Sequence, residues 1–350
     1  GGRLRTSLGL SRDRWRQDAS LPVVRGGPNG EMTFVDLAGN LLPAGGAAPT
    51  ARLTKNYVTN QTYGGVFHLT RWISLTATYQ ESALFTDNLG TDLTGRPRQP
   101  TAGEGHDFGL RFSLLENAVV ASVVYYDNKA ENIRSAITNA VRTELNVLLV
   151  NDAVIGTDDS VDRATQGVEL EVVANLRRNW TLRMGVATSK VDEVNLNPLT
   201  RAALARARAA ATARGLEPDA ATVATRDFLT ANETTAGGVR RYTGNLTTRY
   251  TLEKGALRGF AFGGSIRYAE GRPQPRVVIT GQEVVPARTT NDQWTVSPFA
   301  SYRRKLGRVT WTMQVNVNNV FDEVTDQGTV YRYPRYTDPR QIVFTNTLTF

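Results

Sequence analysis

The chain has no cysteine, and that absence removes disulfides, cysteine-based zinc sites and thiol chemistry together. It has two histidines, His68 and His106, too little material for a histidine-rich metal centre or a Ser-His-Asp triad. No apolar run approaches the roughly 18–20 residues that a spanning helix needs. The first residues, GGRLRTSLGLSRDRW, hold neither an initiator methionine nor the apolar segment of a secretion signal. The expectation is a piece of a longer product that already lies within a strand at its start. A thiol-free chain also suits an oxidising compartment. Charge is plentiful, with a net +8, but the basic residues are dispersed and no aromatic-rich basic motif accompanies them, so no nucleic-acid partner is expected.

What is present is alternation. In VTWTMQVNVNNVFDE, residues Val309, Trp311, Met313, Val315 and Val317 share one parity, and Thr310, Thr312, Gln314, Asn316 and Asn318 share the other. A strand of period two sends these sets to opposite faces. The same test gives about twelve strands: Arg3–Leu10, Thr62–Leu69, Trp72–Gln80, His106–Leu114, Ala118–Asp127, Thr165–Ala174, Trp180–Val191, Arg241–Leu252, Leu257–Tyr268, Gln293–Arg303, Val309–Asn319 and Gln341–Phe350.

The connections carry more information than the strands. Thr70–Arg71, Leu115–Asn117, Leu176–Asn179, Glu253–Ala256 and Lys305–Gly307 are tiny links. Between them lie long ones: Ser11–Gln61, Glu81–Gly105, Asn128–Ala164, Asp192–Arg240, Ala269–Asp292 and Asn319–Arg340. In an up-and-down antiparallel sheet, alternate links fall on opposite rims, which matches the short periplasmic turns and long extracellular loops of an outer-membrane barrel. Closure follows from physics, because a sheet in hydrocarbon must pair every backbone N–H and C=O within the protein. The apolar parity then faces outer-membrane lipid and the polar parity faces the lumen. Tyr63, Trp72, Tyr79, Tyr125, Trp180, Tyr242, Tyr250, Tyr268, Trp294 and Tyr302 stand mostly near strand ends, where interfacial aromatics belong. Two loops are expected to hold short helices, at Asn197–Gly215 and at Glu131–Leu145, where Ile133, Ile137 and Val141 make one stripe.

Two readings compete with a large membrane barrel. One is a complete barrel of about twelve strands, acting as a passive pore, a translocator or an outer-membrane hydrolase, in which Arg3–Leu10 pairs with Gln341–Phe350. The other is a soluble β-sandwich that binds carbohydrate and covers Ile73, Leu75, Leu182, Val186, Trp311 and Val315 with a second sheet.

The segment Asn316–Glu323, NVNNVFDE, resembles the asparagine-pair, Phe-Asp segment on the penultimate strand of TonB-dependent outer-membrane receptors. Residues Asp159–Ser189 resemble their recurring hairpin, a Gly-x-Glu strand followed by an Asn-Trp-Thr strand. The resemblance implies a bacterial outer-membrane, non-enzymatic uptake receptor for a scarce bulky nutrient: a siderophore-iron complex, a corrinoid or an oligosaccharide. It implies a barrel of about 22 strands around a plugged lumen, of which residues 1–350 are the C-terminal part, the plug domain and signal peptide being absent. The TonB complex would act through that absent N-terminal region. Phe350 would be the terminal aromatic read by the barrel-assembly machinery.

The lumen-facing candidates for ligand contact are Arg111, Glu169, Glu171, Arg183, Arg249, Arg267 and Gln314. No catalytic constellation, cofactor or metal site is expected. Asp158, Asp159 and Asp162 are hard oxygen ligands of the kind calcium takes, but they lack a calcium-loop spacing and read as a solvated acidic loop. Gly259–Gly264, GFAFGG, lies inside a strand, so it is not a phosphate loop; its glycines ease curvature or make room for plug contacts. His68 and His106 read as polar rim residues.

Overall fold

The structure is a computed structural model that describes residues 2–19, 23–26, 32–34, 52–84, 91–96, 98–149, 154, 156–232, 239–274, 277–279, 282–285, 288–326 and 336–350. Its main body is one antiparallel sheet of twelve strands, here called the wall. These are β1 (Leu4–Ala19), β2 (Arg52–His68), β3 (Ile73–Leu84), β4 (Thr101–Leu114), β5 (Val119–Ala136), β6 (Asp158–Arg177), β7 (Trp180–Val194), β8 (Tyr242–Thr251), β9 (Phe260–Ala269), β10 (Gln293–Leu306), β11 (Val309–Asn318) and β12 (Gln341–Thr349). Each strand pairs with its neighbours in sequence, so among the described residues β1 and β12 are the two unpaired edges of the sheet.

All twelve expected segments are therefore strands, but several run further than the alternation extends. β6 has 20 residues and β5 has 18, about twice the 9–11 that hydrocarbon requires. The added length lies toward the long-loop rim, so parts of 11–61, 81–105, 128–164 and 192–240, expected as loops, are strand instead. The physical reason is that where both faces of a strand meet the same solvent, polar alternation disappears while the backbone ladder continues. The middles of several expected loops lie outside the described residues.

The short turns are built as their sequences suggest. Between β2 and β3, the Thr70 hydroxyl accepts from the N–H groups of Trp72 and Ile73, at 3.2 and 3.0 Å. Between β4 and β5, Leu115, Glu116 and Asn117 are all left-handed.

The outward parity forms continuous apolar rows. One runs Leu4, Phe67, Leu75, Leu110, Val123, Leu170, Val186, Gly244, Tyr268 and Trp294, each paired with the next across ten strands. No second sheet of comparable size covers this face among the described residues; the other sheets are two-stranded ribbons. Aromatics bracket the band. On the long-loop side Tyr63 stacks on Tyr79 at 6.1 Å and Tyr268 meets Trp294 at 4.6 Å, while on the short-turn side Trp180, Tyr250 and Phe262 touch in series.

The hydrophobic core lies elsewhere, in a helical cap above the long-loop rim. It comprises α1 (Asn139–Leu148), α2 (Pro198–Ala213), α3 (Pro218–Ala221) and α4 (Val223–Asn232). Ala203, Ala207 and Ala211 form an i, i+4 stripe on α2 packed against Val141, Leu145 and Leu148 of α1, and Leu145 is fully buried. The expected helix over Glu131–Leu145 is thus corrected. Its first half is the end of β5, because Ile133–Ala136 pairs with Val161–Asp158 beyond a bulge, and the helix starts only where Thr138 caps it. The Asn197–Gly215 helix matches α2, closed by Gly215 at φ +71. Four described helices replace the one or two expected.

Candidate functional site

All seven lumen-facing candidates share the inward parity of the wall. The densest row is Ser74, Arg111, Ser122, Glu171, Gly185, Asn245 and Arg267, running from β3 to β9. At about 4.8 Å per strand, Arg111 and Glu171 stand about 10 Å apart on the backbone, and Glu171 and Arg267 about 14 Å. Glu169 lies one row toward the long loops and Arg183 one row toward the short turns, diagonal to Glu171. The structure therefore gathers Arg111, Glu169, Glu171, Arg183 and Arg267 on one concave mid-wall field. Arg249 and Gln314 sit nearer the short-turn rim. The Arg249 guanidinium lies 5.9 Å from the Phe299 ring centroid, and Gln314 donates to Asn316 at 2.8 Å.

Glycines shape this field at two points. A Cβ on Gly167 would meet the Tyr126 hydroxyl at 2.4 Å, because the Tyr126 ring lies across that glycine and donates to the Thr188 carbonyl at 2.9 Å. In the GFAFGG stretch, a Cβ on Gly263 would meet the Thr248 carbonyl oxygen at 2.0 Å, so this glycine permits close strand approach.

Arg111, Glu169, Glu171, Arg183 and Arg267 enter no ion pair or side-chain hydrogen bond among the described residues, and all five are exposed. Three guanidinium groups, Arg111, Arg183 and Arg267, share the field with the carboxylates of Glu169 and Glu171, so charges of both signs line it.

Sequence reasoning missed a recess higher on the inner side. It has a volume of about 190 Å³ and is lined by Gln80, Ser82, Gly103, Gly105, Asp107 and Asn128 among others. The signal was in the sequence, since GEGHDFG sets Gly103, Gly105, Asp107 and Gly109 on one parity.

The acidic cluster is corrected: it is not solvated. Asp158 is fully buried, 2.9 Å from Arg134 and 3.8 Å from Arg98. Burial lowers the Arg98 pKa from its ordinary value, Asp158 opposes that shift, and Arg134 adds to it. Asp159 accepts from the N–H groups of Leu199 and Thr200 and from the Thr200 hydroxyl, capping α2. Asp162 accepts from the Asn132 N–H and the Asn195 amide. These carboxylates join strands to cap helices. His68 ends β2 as expected, with Nδ1 2.8 Å from the Ser74 hydroxyl, whereas His106, expected to begin a strand, lies within β4 because that strand extends back to Thr101, and its Nε2 is 3.1 Å from Glu104.

Comparison with known proteins agrees with this geometry. A family model described as TonB dependent receptor-like, beta-barrel matches residues 1–320. The ferric-pyoverdine 358 receptor of Pseudomonas putida is 27% identical over 154 residues, 44% of this chain and 18% of the relative. The ferripyoverdine receptor of Pseudomonas aeruginosa is 24% identical over 311 residues, 87% of this chain and 32% of the relative. This chain thus spans under a third of the length of those relatives. The crystal structure of the ferripyoverdine receptor of the outer membrane of P. aeruginosa, bound to ferripyoverdine, superposes with a TM-score of 0.63 at 18% identity, covering 90% of this chain and 34% of that one.

Proposed function

The chain belongs to the TonB-dependent receptor-like β-barrel family, and from that premise we propose that it is the C-terminal part of the wall of a receptor importing a ferric siderophore. Members of the family are outer-membrane proteins, and this chain is one of them. The observation that carries the proposal is the twelve-stranded wall with an uncovered apolar outer face, a charged inner face and two unpaired edges. In hydrocarbon such edges require further strands, and a barrel of about 22 strands supplies them. A self-closed twelve-stranded pore needs a β1–β12 ladder, which the strand order does not contain.

In this reading the short turns are periplasmic and the helical cap is extracellular. A plug and a TonB-engaging segment come from the rest of the gene product, and the exposed Phe350 is read by the barrel-assembly machinery. Support for the substrate class comes from the relatives, which are receptors for ferric pyoverdine, together with the three guanidinium groups of the inner field. A ferric chelate presenting anionic oxygens suits unpaired guanidinium donors. The test is binding of ferric pyoverdine to the full-length receptor with Arg111, Arg183 and Arg267 changed together to Ala. Affinity is expected to fall by about tenfold or more, since charge-assisted bonds contribute about 1.5–3 kcal/mol each. Unchanged affinity would remove the inner field from the ligand path.

A further inference from the structure

The recess on the inner side of β3, β4 and β5 has a chemistry distinct from that of the mid-wall field. Its volume of about 190 Å³ is below the roughly 300–1,000 Å³ typical of a site for a whole small molecule, so it takes one group of a larger ligand. Gln80, Ser82, Asp107 and Asn128 reach it on the inward parity, and Gly103 and Gly105 leave room between them. The Asn128 side-chain oxygen occupies space that a Cβ on Gly105 would claim. None of the four side chains forms a hydrogen bond or ion pair among the described residues. Glu104 and Lys129 border the recess from the outward parity, where Glu104 is held by His106.

Asp107 decides what fits. It is half-buried, and its neighbours on the wall leave its charge unanswered. Tyr126, its partner on β5, turns away across Gly167 to the Thr188 carbonyl. Arg163, in the same row as Gly103, is engaged by Glu193 at 2.6 Å. Arg111 stands four residues along β4 toward the short turns, about 13 Å away. A carboxylate beside two amides and a hydroxyl repels anions and presents several acceptors, so its complement is a cation carrying several N–H donors. Among the described residues no group of three His, Asp or Glu side chains gathers to hold a metal ion. We propose that the recess is a subsite for an ammonium or guanidinium group of the imported ligand, an inference that rests on the uptake reading above. The ligand is then bipolar. Its anionic chelate lies against the mid-wall guanidinium groups, and its cationic group lies about 13 Å toward the long-loop rim.

Because this chain has no cysteine, one introduced thiol reports on the recess. In the full-length receptor, with any cysteine elsewhere changed to serine, Gln80→Cys is labelled by methanethiosulfonates that carry either an ethylammonium or an ethylsulfonate tail. The ratio of the two rates is measured with Asp107 intact, with Asp107→Asn and with Asp107→Glu, each protein being shown to be folded by heat-modifiable mobility. The ammonium reagent is expected to be favoured, and Asp107→Asn to lower the ratio about fivefold or more, the factor that one carboxylate about 8 Å away imposes between reagents of opposite sign in water. Asp107→Glu is expected to keep most of the preference. A ratio unchanged by Asp107→Asn would overturn the inference. A thiol that neither reagent reaches in the folded receptor would put the recess beneath another part of the protein, such as the plug, and would overturn its assignment to the ligand. These rates need no siderophore, so they can fail while the uptake reading stands, and ferric pyoverdine binding can fail while they hold.

Discussion

The wall and the helical cap belong to one chain but are stabilised in opposite ways. In the wall the large apolar side chains stay exposed: Leu8, Leu110, Phe262 and Phe344 all point away from the protein, and the strands are held by backbone ladders. In the cap the large apolar groups Val141 and Leu145 are fully buried, and helix ends are closed by carboxylates and a guanidinium from other elements. Glu144 of α1 accepts from the first N–H groups of α4, and Arg214 donates to the last carbonyls of α1. The difference teaches which solvent each part faces. Hydrocarbon leaves apolar side chains no reason to cluster and makes every backbone bond obligatory, whereas water demands a core.

The largest expected effect that sharpens this contrast is in the cap. Leu145→Ala should cost the cap about 2–5 kcal/mol, read as faster hydrogen exchange in α1 and α2 with the wall's heat-modifiable mobility unchanged. A loss shared equally by wall and cap would mean that the two are one cooperative unit. Next is a charge on either face of the wall. Leu110→Arg should cost about 2–4 kcal/mol in denaturant unfolding from bilayers, while Val124→Arg, on the inward parity, should cost under about 1 kcal/mol. Equal costs would erase the distinction between the faces. The smallest effect is on the cap surface. Arg208 meets Asp219 at 2.6 Å, but both are well exposed, so Arg208→Ala should change stability by less than about 0.5 kcal/mol.

The wall was legible because hydrocarbon on one side and a polar lumen on the other impose period two, as in Ile73, Leu75 and Ala77 against Ser74, Thr76 and Thr78. That imprint fades where both sides meet water, so the sequence of the outer ends of β5 and β6 carries no strand signal. The inward parity of Arg111, Glu171 and Arg267 was legible for the same reason, and their common row was not, because it depends on the register of seven strands. The burial of Asp158 was hidden because its partners, Arg98 and Arg134, arrive from a loop and a different strand. At α3, Pro218 stands at the helix start and Glu217 caps it, a start signal that the sequence itself carries.

The strict neighbour-by-neighbour order of the wall also has a kinetic meaning. Every ladder joins strands adjacent in sequence, so the sheet can zip one hairpin at a time, each added strand covering one edge and presenting another. β1 and β12 run antiparallel, so the edge presented at one end of the zipper is complementary to the edge at the other. A single copy is therefore a link that any suitable strand can extend.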